Sequence, residues 1–453
     1  MRQLTRRSFT GALAAAAFAQ TPRRPSFIVL FSDDMGYGDL GCYGHPQIRT
    51  PNIDRLAAEG ARLTSYYAVA SVCTPSRVGL LTGRYPMRAK QPNNFGPESK
   101  EGLQLSEVLL PQVLKPLGYR TMAIGKWHLG HEPAFLPTAR GFDQFLGLPY
   151  SNDMIRPWVQ TGRPLMLYRN NDAFETVTDQ SLITQRYTNE AVKFVRESGI
   201  RPFFLYVPFA MPHLPLAVSP ERRGKSAAGL YGDVIEELDW SVGEIMRAVR
   251  EAGQDGNTFV LFLSDNGPWN NLPNRMRQQG NEWWHSGSAG PLRGAKGGSY
   301  EGGFRVPGIA RWPGRIPAGQ TLRELACGLD WFPTIANAAG AKLPGDGRVY
   351  DGFDLMPMLS GRAASPRNEF FYFRARVLEG VRQGPWKYRR ARGEDIEGQA
   401  LTDAPPELYH LERDVAERYN QVEREPEIAA RMAGRMREFA KELAADLAEA
   451  QVK

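Results

Sequence analysis

The feature that most constrains the fold is a regular alternation of short apolar segments and helical segments through the first three quarters of the chain. Residues 26–32, 203–209 and 258–263 are apolar runs of strand length, and residues 184–197 and 233–252 have the spacing of amphipathic helices. Strands separated by helices form a mostly parallel sheet with helices on both faces. We therefore predict an α/β fold built on one large sheet. The same pattern predicts further helices at 52–59 and 105–117 and a strand at 120–124.

The character of the sequence changes after about residue 366. Short strand-like segments joined by polar turns replace the alternation, and a final helical segment rich in Ala, Arg and Glu follows. Closely spaced strands with polar turns are typical of an antiparallel sheet. We predict strands at 368–376, 380–389 and 408–411 and a helix at 427–450. The chain is thus divided into a main domain, residues 20–365, and a small C-terminal α+β domain, residues 366–453.

Two pairs of oxygen-bearing side chains come directly after predicted strands. Asp33 and Asp34 follow the first strand, and Asp265 and Asn266 follow the strand at 258–263. Ligands of such sheets bind beyond the carboxyl ends of the strands, so the two pairs are expected to converge. Each pair alone would suit a simple turn. No cysteine and no obvious imidazole accompanies these pairs in the sequence. Their hard oxygen ligands therefore favour calcium or magnesium over zinc.

The segment Cys73–Arg84, CTPSRVGLLTGR, carries the most specific motif of the chain. It resembles the maturation sequence of the type I sulfatases, C-x-P-S-R followed by L-T-G-R. In that family the cysteine is oxidised after translation to formylglycine, an aldehyde whose hydrate is the nucleophile. Without the family pattern, the same segment would be a buried cysteine opening a short helix, with Pro75 in its first turn.

The resemblance extends over nearly the whole chain and implies an alkaline phosphatase-like fold. It also implies that Asp33, Asp34, Asp265 and Asn266 hold one Ca²⁺ near the nucleophile. The remaining site residues lie in family-like segments, among them GKWHLG at 125–130 and MPHLP at 211–215. By this resemblance the catalytic residues are Cys73, Arg77, Lys126, His128, His213 and Lys296, and Ser151 contacts the sulfate. From sequence alone, Ser151 would equally suit a hydroxyl that caps a turn.

The chemistry that the resemblance implies is transfer of a sulfuryl group to the hydrated aldehyde. Lys126, Lys296 and Arg77, together with Ca²⁺, stabilise the negative charge. His213 with Lys296 protonates the leaving oxygen, and His128 removes a proton so that sulfate departs and the aldehyde returns. A maturation enzyme, either formylglycine-generating or radical, is an implied partner.

The N-terminus has the features of an export signal. Arg6 and Arg7 precede an alanine-rich apolar stretch, and Ala17-Phe18-Ala19 is a small-x-small cleavage site. This pattern predicts a twin-arginine signal peptide at residues 1–19, cleavage after Ala19, the twin-arginine translocase as a partner, and a periplasmic or secreted protein. A short amphipathic or buried helix is the alternative. We expect no lipid or membrane anchor, because no cysteine lies at the cleavage point and no apolar run in the body could span a bilayer.

Net charge and cysteine content limit the classes of binding partner and the disulfide bonds that this chain can have. The net charge is +7, and removal of a signal carrying three arginines and no acidic residue would leave +4, which suits anionic substrates. No dense Lys/Arg stripe with interleaved aromatic residues is present, which argues against nucleic acid binding. Three cysteines form no disulfide framework, and the sequence does not decide whether Cys42 and Cys327 pair.

Three functions are compatible with these features. The leading one is a sulfatase acting on a sulfated sugar or an aryl sulfate ester. A phosphonate or phosphate diester hydrolase of the same superfamily would share the metal and the nucleophile. An inactive exported carbohydrate-binding protein is the third, although the complete set of lysines and histidines speaks against it. In the loop at 269–289, Trp283 and Trp284 either stack on a sugar ring or pack against the protein.

Overall fold

A ten-stranded sheet forms the centre of the computed structural model, which describes residues 23–278, 280–390 and 405–452. Its middle five strands are parallel, and the antiparallel pairings lie toward its two edges. In spatial order the strands are Gln320–Leu322, Ala61–Leu63, Gly308–Arg311, Thr258–Ser264, Ser26–Ser32, Phe203–Pro208, Arg120–Lys126, Gln144–Leu148, Met166–Arg169 and Asp172–Thr176. The predicted large, mostly parallel sheet is confirmed.

Helices cover both faces of the sheet, and the central strand Ser26–Ser32 shows why its sequence is apolar throughout. Ile28 and Leu30 pack into one buried cluster, whereas Phe27 and Val29 pack into another on the opposite face. A strand buried on both faces has no polar side to alternate with. The α-helices in this part of the chain are Pro51–Ala58, Cys73–Thr82, Leu110–Leu114, Ile183–Ser198, Gly229–Glu251, Glu301–Phe304, Trp331–Ala339 and Met356–Leu359.

A four-stranded antiparallel sheet and a long helix make up the C-terminal part, as expected. The strands are Glu369–Arg374, Val377–Gln383, Trp386–Arg389 and Glu407–His410, and the helix is Pro426–Val452. This sheet shares a buried cluster with Tyr67, Tyr85 and Phe304 of the main part. A separate pair of short strands, Tyr66–Tyr67 and Ala326–Cys327, is parallel. The boundary at residue 366 stays a prediction.

Two predicted elements differ from the structure. The expected strand at 380–389 is two strands, because the chain turns at Gly384 with a φ of 54°, and Pro385 follows. The expected helix at 105–117 has its α-helical part only at Leu110–Leu114, where Pro111 occupies the first turn and needs no N–H partner. The apolar side chain of Leu105, which suggested an earlier start, is 61% exposed.

The predictions on export lie mostly beyond what the structure addresses. The proposed signal peptide, residues 1–19, falls outside the described residues. Among the described residues, no helix combines the length and the apolar character needed to cross a bilayer. Cys42 and Cys327 are both free thiols, so they do not form a disulfide with each other.

Candidate active site

The two oxygen-rich pairs converge at the carboxyl edge of the sheet. The strands that precede them are neighbours, with Ser32 in register with Ser264. Hydrogen bonds also join the two pairs directly. The Asp34 amide donates to Asp265 Oδ1 at 3.1 Å, and Asn266 Nδ2 donates to Asp34 Oδ1 at 2.7 Å. Parallel pairing of two strands therefore accounts for the meeting of residues more than 230 positions apart.

Cys73 opens the helix Cys73–Thr82 beside these pairs, and its side chain is buried. The Sγ atom lies 3.4 Å from Asp33 Oδ1, 3.6 Å from Lys126 Nζ and 3.5 Å from Lys296 Nζ. Burial, together with the charge of Asp33, raises the pKa of this thiol well above its ordinary value. The unmodified cysteine is therefore a poor nucleophile at neutral pH.

Arg77, one helical turn after Cys73, contacts the carboxylates and not the cysteine sulfur. Its Nη2 lies 2.8 Å from Asp265 Oδ2 and 3.3 Å from Asp33 Oδ2, and its Nη1 donates to the Lys126 carbonyl at 2.6 Å. Arg77 therefore links both acidic pairs to the strand that carries Lys126.

Two buried lysines complete the charge arrangement around Cys73. Lys126 Nζ forms an ion pair with Asp33 Oδ2, and Lys296 Nζ donates to Asp34 Oδ1 at 2.7 Å and Oδ2 at 2.8 Å. Burial alone would lower both lysine pKa values, but the neighbouring aspartates outweigh it and raise them. Both side chains therefore stay cationic and are available to bind an anion beside Cys73.

The donor set at the strand ends fits a hard cation. Asn266 Oδ1 is buried and has no hydrogen-bond partner among the described residues. Burial and the negative charge of Asp33 raise the pKa of Asp265 to about 7, which a divalent cation would reverse. Asp33, Asp34, Cys73 and His213 also place one potential ligand atom each within 4.8 Å of one another. A thiol and an imidazole therefore lie beside the oxygen donors at the strand ends.

The two histidines each use one ring nitrogen to contact a backbone carbonyl. His128 Nε2 lies 3.0 Å from the Phe95 carbonyl oxygen, and its Nδ1 has no hydrogen-bond partner among the described residues. His213 Nδ1 lies 2.6 Å from the Leu214 carbonyl oxygen, and its Nε2 lies 3.6 Å from Asp34 Oδ2. Burial is the main cause that lowers the pKa of both rings. The charge of Lys126 lowers the pKa of His128 further, and the charge of Lys296 lowers that of His213.

Ser151 lies further along the same sheet edge. It is buried after the strand Gln144–Leu148, and its carbonyl accepts a turn hydrogen bond from the Met154 amide at 3.1 Å. The neighbouring Asn152 amide approaches the His213 carbonyl at 3.4 Å. The segment of Ser151 therefore borders the segment of His213, but the contacts of the described residues do not bring Ser151 to Cys73.

Trp269 is a site residue that the sequence reasoning missed. Its ring lies 4.4 Å from Lys296 Nζ and 5.3 Å from the His213 ring, and it is 4% exposed. The residues that the sequence singled out in this loop, Trp283 and Trp284, are 53% and 71% exposed. The position of Trp269 in the sequence could have indicated this location, because it comes three residues after Asn266 and so follows the same strand end.

A family model, curated proteins of similar sequence and solved structures of similar fold all match this chain. A family model described as Sulfatase matches residues 25–341. Arylsulfatase A of Bos taurus is 39% identical, with 93% of this chain and 88% of that protein covered. N-acetylgalactosamine-6-sulfatase of Rattus norvegicus is 38% identical, with coverage of 91% and 83%. The solved structure of PsFucS1 sulfatase from Pseudoalteromonas sp. has a TM-score of 0.81 and 30% identity, with coverage of 94% and 91%.

Proposed function

The chain belongs to the sulfatase family of the alkaline phosphatase superfamily, and we propose that it hydrolyses sulfate esters of carbohydrates with a formylglycine made from Cys73 and one bound Ca²⁺. The observation that carries this proposal is the surroundings of Cys73 Sγ, with two lysine ammonium groups and Asp33 within 3.6 Å. Such surroundings suit a nucleophile that attacks an anionic ester.

The oxygen atoms of Asp33, Asp34, Asp265 and Asn266 would hold the cation. When bound, Ca²⁺ supplies Lewis-acid stabilisation of charge on the sulfate and the nucleophile. The orphaned Asn266 Oδ1 supports this assignment, because a buried amide oxygen without a partner is costly. Arg77 would keep the carboxylates of Asp33 and Asp265 in place through its bridging contacts.

Lys126 and Lys296 bind the sulfate in this proposal. The Lys126 ammonium pairs with Asp33 and the Lys296 ammonium pairs with Asp34, and both lie near Cys73 Sγ. They would therefore contact the transferred group from two directions. Sulfuryl transfer, like phosphoryl transfer, builds charge on the leaving oxygen, and fixed cations in a buried site stabilise it. A formylglycine hydrate at position 73 would supply the attacking hydroxyl.

The histidines take the two proton-transfer roles. The imidazolium form of His213, which carries a proton on Nε2, would donate that proton to the leaving oxygen together with Lys296 Nζ, since both groups face Asp34 at the edge of the site. The contact of His128 Nε2 with a carbonyl favours a proton on that nitrogen, which leaves Nδ1 to accept one. His128 would thus take up the proton that is lost when the aldehyde returns.

The carbohydrate class rests on a relative and not on a bound ligand. N-acetylgalactosamine-6-sulfatase, as its name states, acts on a sugar sulfate, and it is 38% identical to this chain. We extend that class, sulfated saccharides, to this protein.

The proposal is tested with purified protein co-expressed with a maturation enzyme. Peptide mass analysis should find residue 73 as formylglycine, and sulfate release should be measured from sulfated mono- and oligosaccharides and from an aryl sulfate. Cys73→Ala should abolish turnover and leave the fold unchanged, with Cys42→Ala as the matched control that keeps activity. Faster turnover of phosphonate monoesters or phosphodiesters would favour the second candidate. Saccharide binding without turnover by the matured protein would favour the third.

A further inference from the structure

Trp269 touches both groups to which the proposed function assigns protonation of the leaving oxygen. The Lys296 ammonium lies over the indole ring at 4.4 Å from its centroid, within the range of a cation–π interaction. The His213 ring packs on the same indole at 5.3 Å, tilted by 50°. No role in the chemistry proposed above has been given to this buried aromatic side chain.

The segment around Trp269 also holds the backbone of Lys296. The Lys296 amide donates to the Pro268 carbonyl at 3.0 Å, and Asn271 Nδ2 donates to the Lys296 carbonyl at 3.4 Å. Lys296 needs this support because it lies between Gly294 and Gly297, each with a φ of 81°. Glycines leave the backbone free to adopt other conformations, so the position of the ammonium depends on contacts from outside its own loop.

A small apolar cluster keeps the indole in its place. Trp269, Leu214, Leu272 and Met276 are buried together, apart from the main core. Because Leu214 directly follows His213, the same cluster also anchors the histidine segment. Packing of this kind fixes the rotamers of its members and therefore the relative positions of Lys296 and His213.

We propose that Trp269 is a positioning residue that holds the Lys296 ammonium and the His213 imidazole together for proton donation to the leaving oxygen. This inference rests on the proposed function. The indole face attracts the ammonium charge, and the ring excludes water from one side of both groups. An aliphatic side chain would fill the space without that attraction, and the ammonium would then keep only its contacts with the Asp34 carboxylate and the group at position 73 among the side-chain partners described above.

The test compares Trp269→Leu with Trp269→Phe, which keeps an aromatic face. For Trp269→Leu we expect kcat/KM to fall about 3- to 30-fold, the range that a cation–π contact covers, through kcat and not KM. The loss should be largest for esters of poor leaving alcohols. Trp269→Phe should recover most of the activity. The matched control is Trp240→Leu, because the ring of Trp240 also carries a guanidinium, that of Arg222 at 4.6 Å, and has no part in the proposed chemistry.

A second measurement does not depend on sulfatase activity. Labelling of lysines with an amine-acylating reagent, read by peptide mass analysis, should be slow at Lys296 in the wild type and in Trp269→Phe, and faster in Trp269→Leu. Equal labelling of Lys296 in the wild type, Trp269→Phe and Trp269→Leu would overturn the proposal. An equal loss of kcat in Trp269→Phe and Trp269→Leu would also overturn it. A wild type that is inactive but shows the predicted labelling would refute the proposed function and support the positioning. If Trp269→Leu does not fold, Trp269→Met takes its place with the same expectations.

Discussion

At the residue scale, the two histidines differ in the ring nitrogen that faces the site. The backbone carbonyl of Phe95 engages His128 at Nε2, whereas the carbonyl of Leu214 engages His213 at Nδ1. A contact at one nitrogen decides which tautomer the ring adopts and which nitrogen is left for chemistry. The structure therefore offers Nδ1 of His128 and Nε2 of His213, and these two atoms can serve different steps.

We expect alanine substitution of the two histidines to affect different half-reactions. His213→Ala should slow ester cleavage about 10²- to 10⁴-fold, the usual range for loss of general acid catalysis, and most for poor leaving alcohols. His128→Ala should slow release of sulfate, so that a protein species heavier by one sulfate group accumulates. Rapid mixing with substrate followed by intact-mass measurement distinguishes the two.

The matched control for this pair is His45→Ala, because the His45 ring caps backbone amides of Gln47 and Ile48 outside the site. Its kinetics should equal those of the wild type. Accumulation of the sulfated species in His213→Ala and not in His128→Ala would reverse the assignments. If the leaving-group dependence does not steepen in His213→Ala, the acid is mainly Lys296.

Residue positions at strand ends could be predicted from the sequence, whereas contacts made by loops could not. Asp33 and Asp265 follow neighbouring parallel strands, and pairing of those strands is enough to bring them together. The approach of His213 to Asp34 and of Trp269 to Lys296 depends on the paths of two irregular segments. No periodic pattern specifies such paths, because packing against distant residues decides them.

At the scale of elements, the chain directly after the strand Thr258–Ser264 meets the short helix Glu301–Phe304 at three glycines. The Gly267 amide donates to the Gly303 carbonyl at 3.0 Å, and a Cβ atom on Gly267 would overlap the Gly302 carbonyl oxygen. The main chain that carries Asp265 and Asn266 is therefore packed directly against the backbone of this helix. Close backbone approach, and not backbone conformation, is what requires glycine here.

We expect Gly267→Ala to displace the strand end and weaken cation binding. Overpacking of this kind costs about 1–3 kcal/mol of folding free energy, measurable by denaturant titration. Calcium affinity, measured by calorimetry on metal-free protein, should fall in parallel. The matched control is Gly256→Ala, which precedes the same strand and whose added methyl would meet nothing within 4 Å. Calcium affinity equal to that of the wild type in Gly267→Ala would contradict the coupling.

The element boundaries that the sequence misplaced have a local cause. Both errors come from a proline or glycine within an apolar pattern, at Pro111 and at Gly384-Pro385. The periodicity of side chains continues across such residues, but a missing N–H or a positive φ breaks the backbone pattern. The sheet, its helices and the C-terminal sheet were nevertheless predictable, because each depends on longer runs.

At the scale of the whole molecule, a buried ion cluster links the C-terminal sheet to the main part of the chain. Lys387, on the strand Trp386–Arg389, lies 3.0 Å from Glu301 Oε1 and 2.7 Å from Glu417 Oε1, and all three side chains are fully buried. Burial alone would raise the pKa of Glu301, but Lys387, Arg305 and Arg382 together outweigh it, and the pKa falls to about 2. The Lys387 ammonium thus bridges two buried acidic groups across this contact, and Arg305 adds a second cation beside Glu301 at 3.6 Å.

We expect Lys387→Met to destabilise the protein by about 3–5 kcal/mol, because it removes the cation that bridges the buried Glu301 and Glu417. The measurement is the free energy of unfolding in denaturant. The matched control is Lys115→Met, since Lys115 pairs with Asp143 while 52% exposed and should cost about 0–1 kcal/mol. Equal effects of the two substitutions would mean that the buried cluster does not hold the two parts together.

Export is the whole-molecule property that bears most directly on maturation. Replacement of Arg6 and Arg7 by lysine should retain precursor in the cytoplasm, because the twin-arginine route reads those guanidinium groups and lysine keeps only the charge. Folded export would allow residue 73 to be modified and its pocket closed before the membrane is crossed. Cell fractionation and immunoblotting measure the distribution, and Arg23→Lys with Arg24→Lys, beyond the predicted cleavage site, is the control. Normal export of the Arg6 and Arg7 variant would favour the general secretory route, in which Cys73 would cross the membrane in an unfolded chain.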